Sequence, residues 1–157
     1  MTFRAFATLS ALVISAAIPA GPVFAFTAET MPTTIAEMED VLTSRTWQLR
    51  VEDAAEDFCR EVYYFRKDGS MVALSGDEEI DATWELDTAE PKPGFILIER
   101  YLETNGMPDC QGDTFAQPGD IRPMRYIPLE NGTFRVCWVG AGDPCFGWVE
   151  PMDDLIG

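Results

Sequence analysis

Residues 60–75 read REVYYFRKDGSMVALS. Two runs rich in β-branched and aromatic residues, 60–66 and 70–75, flank Lys67-Asp68-Gly69. Asp-Gly between such runs is the strongest short hairpin signal. Toward the N-terminus, TWQLRV at 46–51 places Trp47, Leu49 and Val51 on one face by period-two alternation. Before it, Thr33 or Thr34 can cap a short helix ending near Leu42, with Glu37 at capping-box distance and Ile35, Met38 and Val41 on one face.

Toward the C-terminus the same punctuation continues. IDATWEL at 80–86 aligns Ala82, Trp84 and Leu86, and FILIERYL at 95–102 follows the turn Pro91-Lys92-Pro93-Gly94. A long connection, 103–120, holds Gly106, Pro108, Cys110, Gly112, Pro118 and Gly119. Residues 122–129 are interrupted by Pro123 and Pro128, which suits an edge or bent strand. Asn131-Gly132 turns the chain into 133–139, and 145–150 is the last strand. The fold class is therefore all-β: an eight-stranded antiparallel up-and-down barrel with a short N-terminal helix. A two-sheet β-sandwich is the alternative.

Composition limits function. The chain has 157 residues, 11 Lys+Arg against 27 Asp+Glu, a formal charge of -16 and no histidine. Nucleic acid is excluded as a natural partner, because binding polyphosphate depends on clustered cations. Without histidine there is no Ser-His-Asp triad, no Cys-His pair and no His-ligated metal. A hydrophobic content of 46% demands a packed core, and the length suits one domain.

Residues 1–25, MTFRAFATLSALVISAAIPAGPVFA, read as a signal peptide: Arg4, an uncharged apolar run, then Val23-Phe24-Ala25 before the cut. Residues 26–157 then form a single exported domain, secreted, or periplasmic in a Gram-negative bacterium. No cysteine precedes Cys59, so no lipid-anchored N-terminal cysteine is expected, and the mature protein is expected to carry no membrane anchor.

Export favours disulfides over free thiols for Cys59, Cys110, Cys137 and Cys145. Pairing 134–139 with 145–149 across Gly140–Pro144 brings Cys137 near Cys145, which leaves Cys59 with Cys110. The longer loop gives that second bond about 4 kcal/mol in the chain-entropy model. If Cys137 and Cys145 share a face, Phe134, Val136, Trp138, Phe146 and Trp148 fall on the other, with the bridge outside the barrel.

The pattern resembles the lipocalin-like (calycin) barrels. The features that carry it are a helix leading into Leu42-Thr43-Ser44-Arg45-Thr46-Trp47-Gln48-Leu49, the Tyr64-to-Gly69 hairpin, Trp84-Glu85-Leu86 and Phe95-Ile96-Leu97-Ile98. The likeness spans roughly residues 35–149. Two positions depart from it. Arg45 replaces the glycine two residues before the first-strand Trp, and the last strand lacks the late Arg that packs over that Trp, with Arg135 one strand earlier. The resemblance implies a barrel whose interior holds a small apolar or amphipathic molecule.

Candidate ligand contacts are Trp47, Trp84, Ile98, Arg100 and Trp138. The tryptophans, Trp148 included, either line a cavity or fill the core. Arg100 shares a face with Ile96, Ile98 and Leu102, so in that register it is a buried anion anchor; if Phe95, Leu97 and Tyr101 point inward instead, it is not. The acidic runs Glu52, Asp53, Glu56, Asp57 and Asp77, Glu78, Glu79, Asp81 lack an EF-hand pattern and read as solvated loops. No metal, cofactor or catalytic residue is assigned, and no enzymatic activity is expected. The leading expectation is a monomeric binding barrel. The alternative is a protein-binding module, an inhibitor or envelope partner, acting on a basic protein through its acidic surface and the Cys110 loop.

Overall fold

The computed structural model describes residues 31–52, 60–140 and 142–152; the expected leader, Cys59 and most of the first acidic run lie outside the described residues. The chain first forms helix α1 (Ile35–Thr43). Thr34 caps it: its hydroxyl accepts from Glu37 N at 3.2 Å, and the Glu37 carboxylate accepts from Thr34 N at 3.0 Å. Such a reciprocal cap contributes about 1 kcal/mol. The helix buries Met38 and Leu42 against one end of the barrel.

Eight strands follow among the described residues: β1 (Trp47–Val51), β2 (Glu61–Phe65), β3 (Ser70–Ser75), β4 (Glu78–Thr88), β5 (Phe95–Thr104), β6 (Ile121–Pro128), β7 (Phe134–Trp138) and β8 (Cys145–Pro151). Each pairs antiparallel with the next, and β8 returns to β1 with Gln48 opposite Glu150 and Leu49 opposite Val149, closing the barrel. That closure excludes the sandwich. Trp47 is fully buried and donates its indole N–H to the Leu42 carbonyl at 2.9 Å, tying helix to barrel. Phe134 lies 5.1 Å from Trp47 and 6.0 Å from Tyr126 between ring centroids, and Phe65 lies 5.3 Å from Trp84.

β6 is a full stave of the barrel rather than an edge. Pro123 pairs with Ile98 on β5, but pairing with β7 begins only at Met124; Pro128 pairs with Phe134, but pairing with β5 ends at Tyr126. Each proline therefore sits where β6 has a single neighbour, and its missing N–H costs the ladder nothing.

Cys137 and Cys145 face each other across β7 and β8 and are disulfide-bonded. The pairing register shifts between Val136 and Cys137, because Phe146 is an extra residue in β8. Phe134, Val136 and Phe146 pack on the core as the alternation predicts. Past the bulge the parity flips, so Trp148 leaves the predicted inner face. It stands opposite Arg135, whose guanidinium lies 4.2 Å from the indole centroid. Trp138 is likewise not enclosed: it is 46% exposed and stacks on Phe146 at 4.5 Å. Cys110 is also disulfide-bonded.

The two departures from the lipocalin pattern have local answers. Arg45, which stands where lipocalins have glycine, places its guanidinium 5.6 Å from the Trp47 ring centroid, so a cation covers this Trp from just before β1. Arg135 covers Trp148 instead.

Gly147 closes the seam. A Cβ there would stand 2.5 Å from the Arg50 carbonyl oxygen of β1. Gly147→Ala therefore forces β1 and β8 apart and should destabilise the barrel by about 1–3 kcal/mol. Urea unfolding of the variant checks this, and an unchanged midpoint would show that the seam has slack.

Candidate functional site

The inward face of β5 decides the chemistry of the interior. Phe95, Leu97, Glu99 and Tyr101 are buried, whereas Arg100 and Leu102 are exposed. Arg100 is thus outside the barrel, paired with Glu85 at 2.8 Å in solvent, and the expected anion anchor is not in the interior. Ile98 lies on the same outer face, half-buried and opposite Pro123. Trp47 and Trp84 do point inward, but both are engaged structurally. Trp84 donates to the carbonyls of Arg66 and Ser70 at 3.2 and 3.1 Å, fastening the β2–β3 turn. The five candidate contacts are not brought together.

What the fold brings together instead is a polar group inside the barrel, running from the level of Trp47 and Phe134 toward the end away from α1. Glu61 and Tyr63 from β2, Glu78 from β4, Glu99 and Tyr101 from β5, and Arg122 and Tyr126 from β6 interact electrostatically with one another. The Tyr63 hydroxyl donates to Glu61 Oε2 at 2.6 Å. Glu99 is 1% exposed, and its Oε1 has no hydrogen-bond partner among the described residues. Arg122 stands directly opposite Glu99 on the neighbouring strand, yet its guanidinium lies 4.9 Å from the Tyr101 ring centroid rather than on the carboxylate.

Burial pushes the Glu99 carboxyl up to about 8, with Glu61 adding to the rise and Arg122 opposing it. Burial also raises Glu78, helped by Asp109 and Glu61. The phenols of Tyr63, Tyr101 and Tyr126 are raised by burial first and by nearby carboxylates second, so they remain neutral donors. Near neutral pH Glu99 holds a proton and can donate a hydrogen bond; a cation placed beside it would draw the ionised form.

The 105–120 connection covers this end. Asn105 N donates to the Glu79 carbonyl at 3.1 Å, Tyr101 N to the Asp120 carbonyl at 3.0 Å, and Gly119 N to the Tyr101 carbonyl at 2.8 Å. Ser75 Oγ lies 3.2 Å from Cys110 Sγ. Gly76, with φ +63°, lets the backbone of Cys110 approach: a Cβ would meet its nitrogen at 2.7 Å. Ala116 tucks into the core cluster, and beside it Glu78, Thr104, Gly106, Thr114 and Gln117 line a cleft of about 230 Å³. A second groove of about 350 Å³ runs outside the barrel between α1 and β4, lined by Glu39, Asp40, Lys67 and Trp84. Among the described residues no group of three or more carboxylates or cysteines is arranged to hold a metal ion. Glu78, read from sequence as part of a solvated run, is buried because β4 begins at that residue.

No family model matches this chain, and neither a curated protein nor a solved structure matches it.

Glu99 sets a pH dependence. In the unfolded chain its carboxyl ionises near 4.5, while the folded barrel holds the proton to about 8. Between those values unfolding releases a proton, so Glu99 lowers stability as pH rises through the window, by several kcal/mol at the top, on the order of 1.4 kcal/mol per pH unit. Glu99→Gln should match the wild type near pH 4 and exceed it at pH 8. Thermal melts across that range read the difference, and parallel curves for the two proteins would contradict it.

Proposed function

We propose that this protein is an exported, non-enzymatic, lipocalin-like barrel that holds a small amphipathic molecule in its interior. The observation that carries the reading is the unlike character of the two barrel ends. At one end α1, Trp47 and the Phe134 ring form an apolar plug. Toward the other, buried Glu99 and Tyr101, with Arg122 over the Tyr101 ring, approach the tethered 105–120 connection and its cleft, while Tyr63 and Tyr126 reach in from the level of Trp47 and Phe134. A barrel that needed only to be solid would gain by filling that end with hydrocarbon, since an unpaired buried carboxyl costs stability. The polar head would sit among these groups and the apolar part against Leu97, Met124 and neighbouring side chains.

Export is proposed from the leader at 1–25, and the charge of -16 supports a soluble monomer that does not bind nucleic acid. The absence of histidine from the whole chain supports binding without catalysis.

A second reading rests on a different observation. The Cys110 connection exposes Phe115 (75%) and Met107 (47%), beside exposed Leu102 and Ile121. An acidic barrel with an apolar patch on a disulfide-held loop suits an inhibitor or envelope partner for a basic protein.

Mass spectrometry of the exported protein separates the two. The denatured mass should correspond to cleavage after Ala25 and lie about 4 Da below the fully reduced value, two hydrogens being lost per disulfide. A native species carrying an extra mass that denaturation releases supports the carrier. A bare native barrel shifts the reading to the exposed loop.

A further inference from the structure

We propose that the interior carboxyls of Glu99 and Glu61, ringed by the phenols of Tyr63, Tyr101 and Tyr126, form the head-group site for a small organic cation, a primary ammonium on a short apolar body. This rests on the ligand-binding reading and adds the charge of the ligand to it. Glu99 carries the proposal: it is buried, it lies on the inward face of β5, and one oxygen has no partner among the described residues. Glu61, the carboxyl that acts on it, already accepts from Tyr63 through Oε2.

The balance of charge selects the sign. Glu61, Glu78 and Glu99 share the site with one cation, Arg122, which is turned onto the Tyr101 ring. An anionic head would face three carboxyls against that guanidinium. An ammonium instead brings a donor to Glu99 Oε1, which lacks one, and the electron-rich faces of tyrosine rings attract it further. The cleft toward the 105–120 connection has the same sign. Buried Glu78 borders the cleft beside Ala116, Asp109 acts on Glu78, and the protein as a whole carries -16. That field concentrates small cations at this cleft. Binding is coupled to one proton: Glu99 gives its proton to solvent as the ammonium arrives, leaving a carboxylate–ammonium pair.

Calorimetry with three matched probes, hexylammonium, hexan-1-ol and hexanoate, tests this on the full mature protein. Hexylammonium should bind at one site about tenfold or more tightly than hexan-1-ol, and hexanoate more weakly than either. Titrations at pH 7 in buffers of different ionisation enthalpy should show release of close to one proton per ammonium bound. Glu99→Gln should bring the ammonium to within about threefold of the alcohol. The proton count is read on the wild type, so it stands even if the variant folds poorly. Ammonium binding that Glu99→Gln does not weaken, or that releases no proton, would be surface attraction and would overturn the cation site. Equal affinity for all three probes, or preference for hexanoate, would overturn it while leaving the carrier reading intact. Failure of all three to bind would remove both.

Discussion

The pairing of β8 with β1 is the constraint on which the rest of the structure depends. Without it the eight strands would be an open sheet with two exposed edges and no inside. With it, alternate residues on every strand face an enclosed space, and the aromatic side chains of β1, β2, β4, β6 and β7 meet. The seam is tight enough that Gly147 has no room for a side chain against Arg50. It is anchored at the helix end, where Trp47 both pairs with Pro151 across the seam and hydrogen-bonds back to Leu42. The 137–145 disulfide lies on the next pair of strands and restrains β8 from its other side.

Enclosure turns ordinary polar residues into expensive ones. Glu99 on an outer face would be one more of 27 acidic residues. On the inner face it loses water, gains no partner for Oε1, and is held mostly protonated near neutral pH. The helix end is plugged with hydrocarbon and rings, while the part toward the 105–120 connection keeps Glu78, Glu99, Tyr101 and a guanidinium. Stability is concentrated where nothing needs to enter. The strained polarity is concentrated where something could, and that division supports reading the protein as a container.

The local features of the sequence were legible because their causes are local. Asp68-Gly69 and Asn131-Gly132 mark turns where φ is positive, at +79° for Gly69 and +83° for Gly132. Thr34 and Glu37 cap a helix within four residues of each other. The Cys137–Cys145 pair followed from a single hairpin. The inward face of β5 was not legible. In FILIERYL both parities are apolar, Phe95, Leu97 and Tyr101 against Ile96, Ile98 and Leu102, and each carries one ionisable residue, Glu99 or Arg100. Hydrophobic alternation cannot choose between two such sets. Arg100 drew the eye as a buried anchor, yet it lies in solvent with Glu85. The same limit affected Trp148, where one extra residue at Phe146 reversed the parity that spacing implied.

By itself, then, the sequence determined strand number and order, the helix and its cap, the acidic charge and the absence of histidine chemistry, all properties of composition or of neighbours along the chain. Tertiary structure decided which face of each strand is enclosed, that β6 is a paired stave despite two prolines, and that Glu61, Glu78, Glu99, Tyr101 and Arg122 share one space. Those residues come from four strands, and only closure of the barrel sets the register that aligns them.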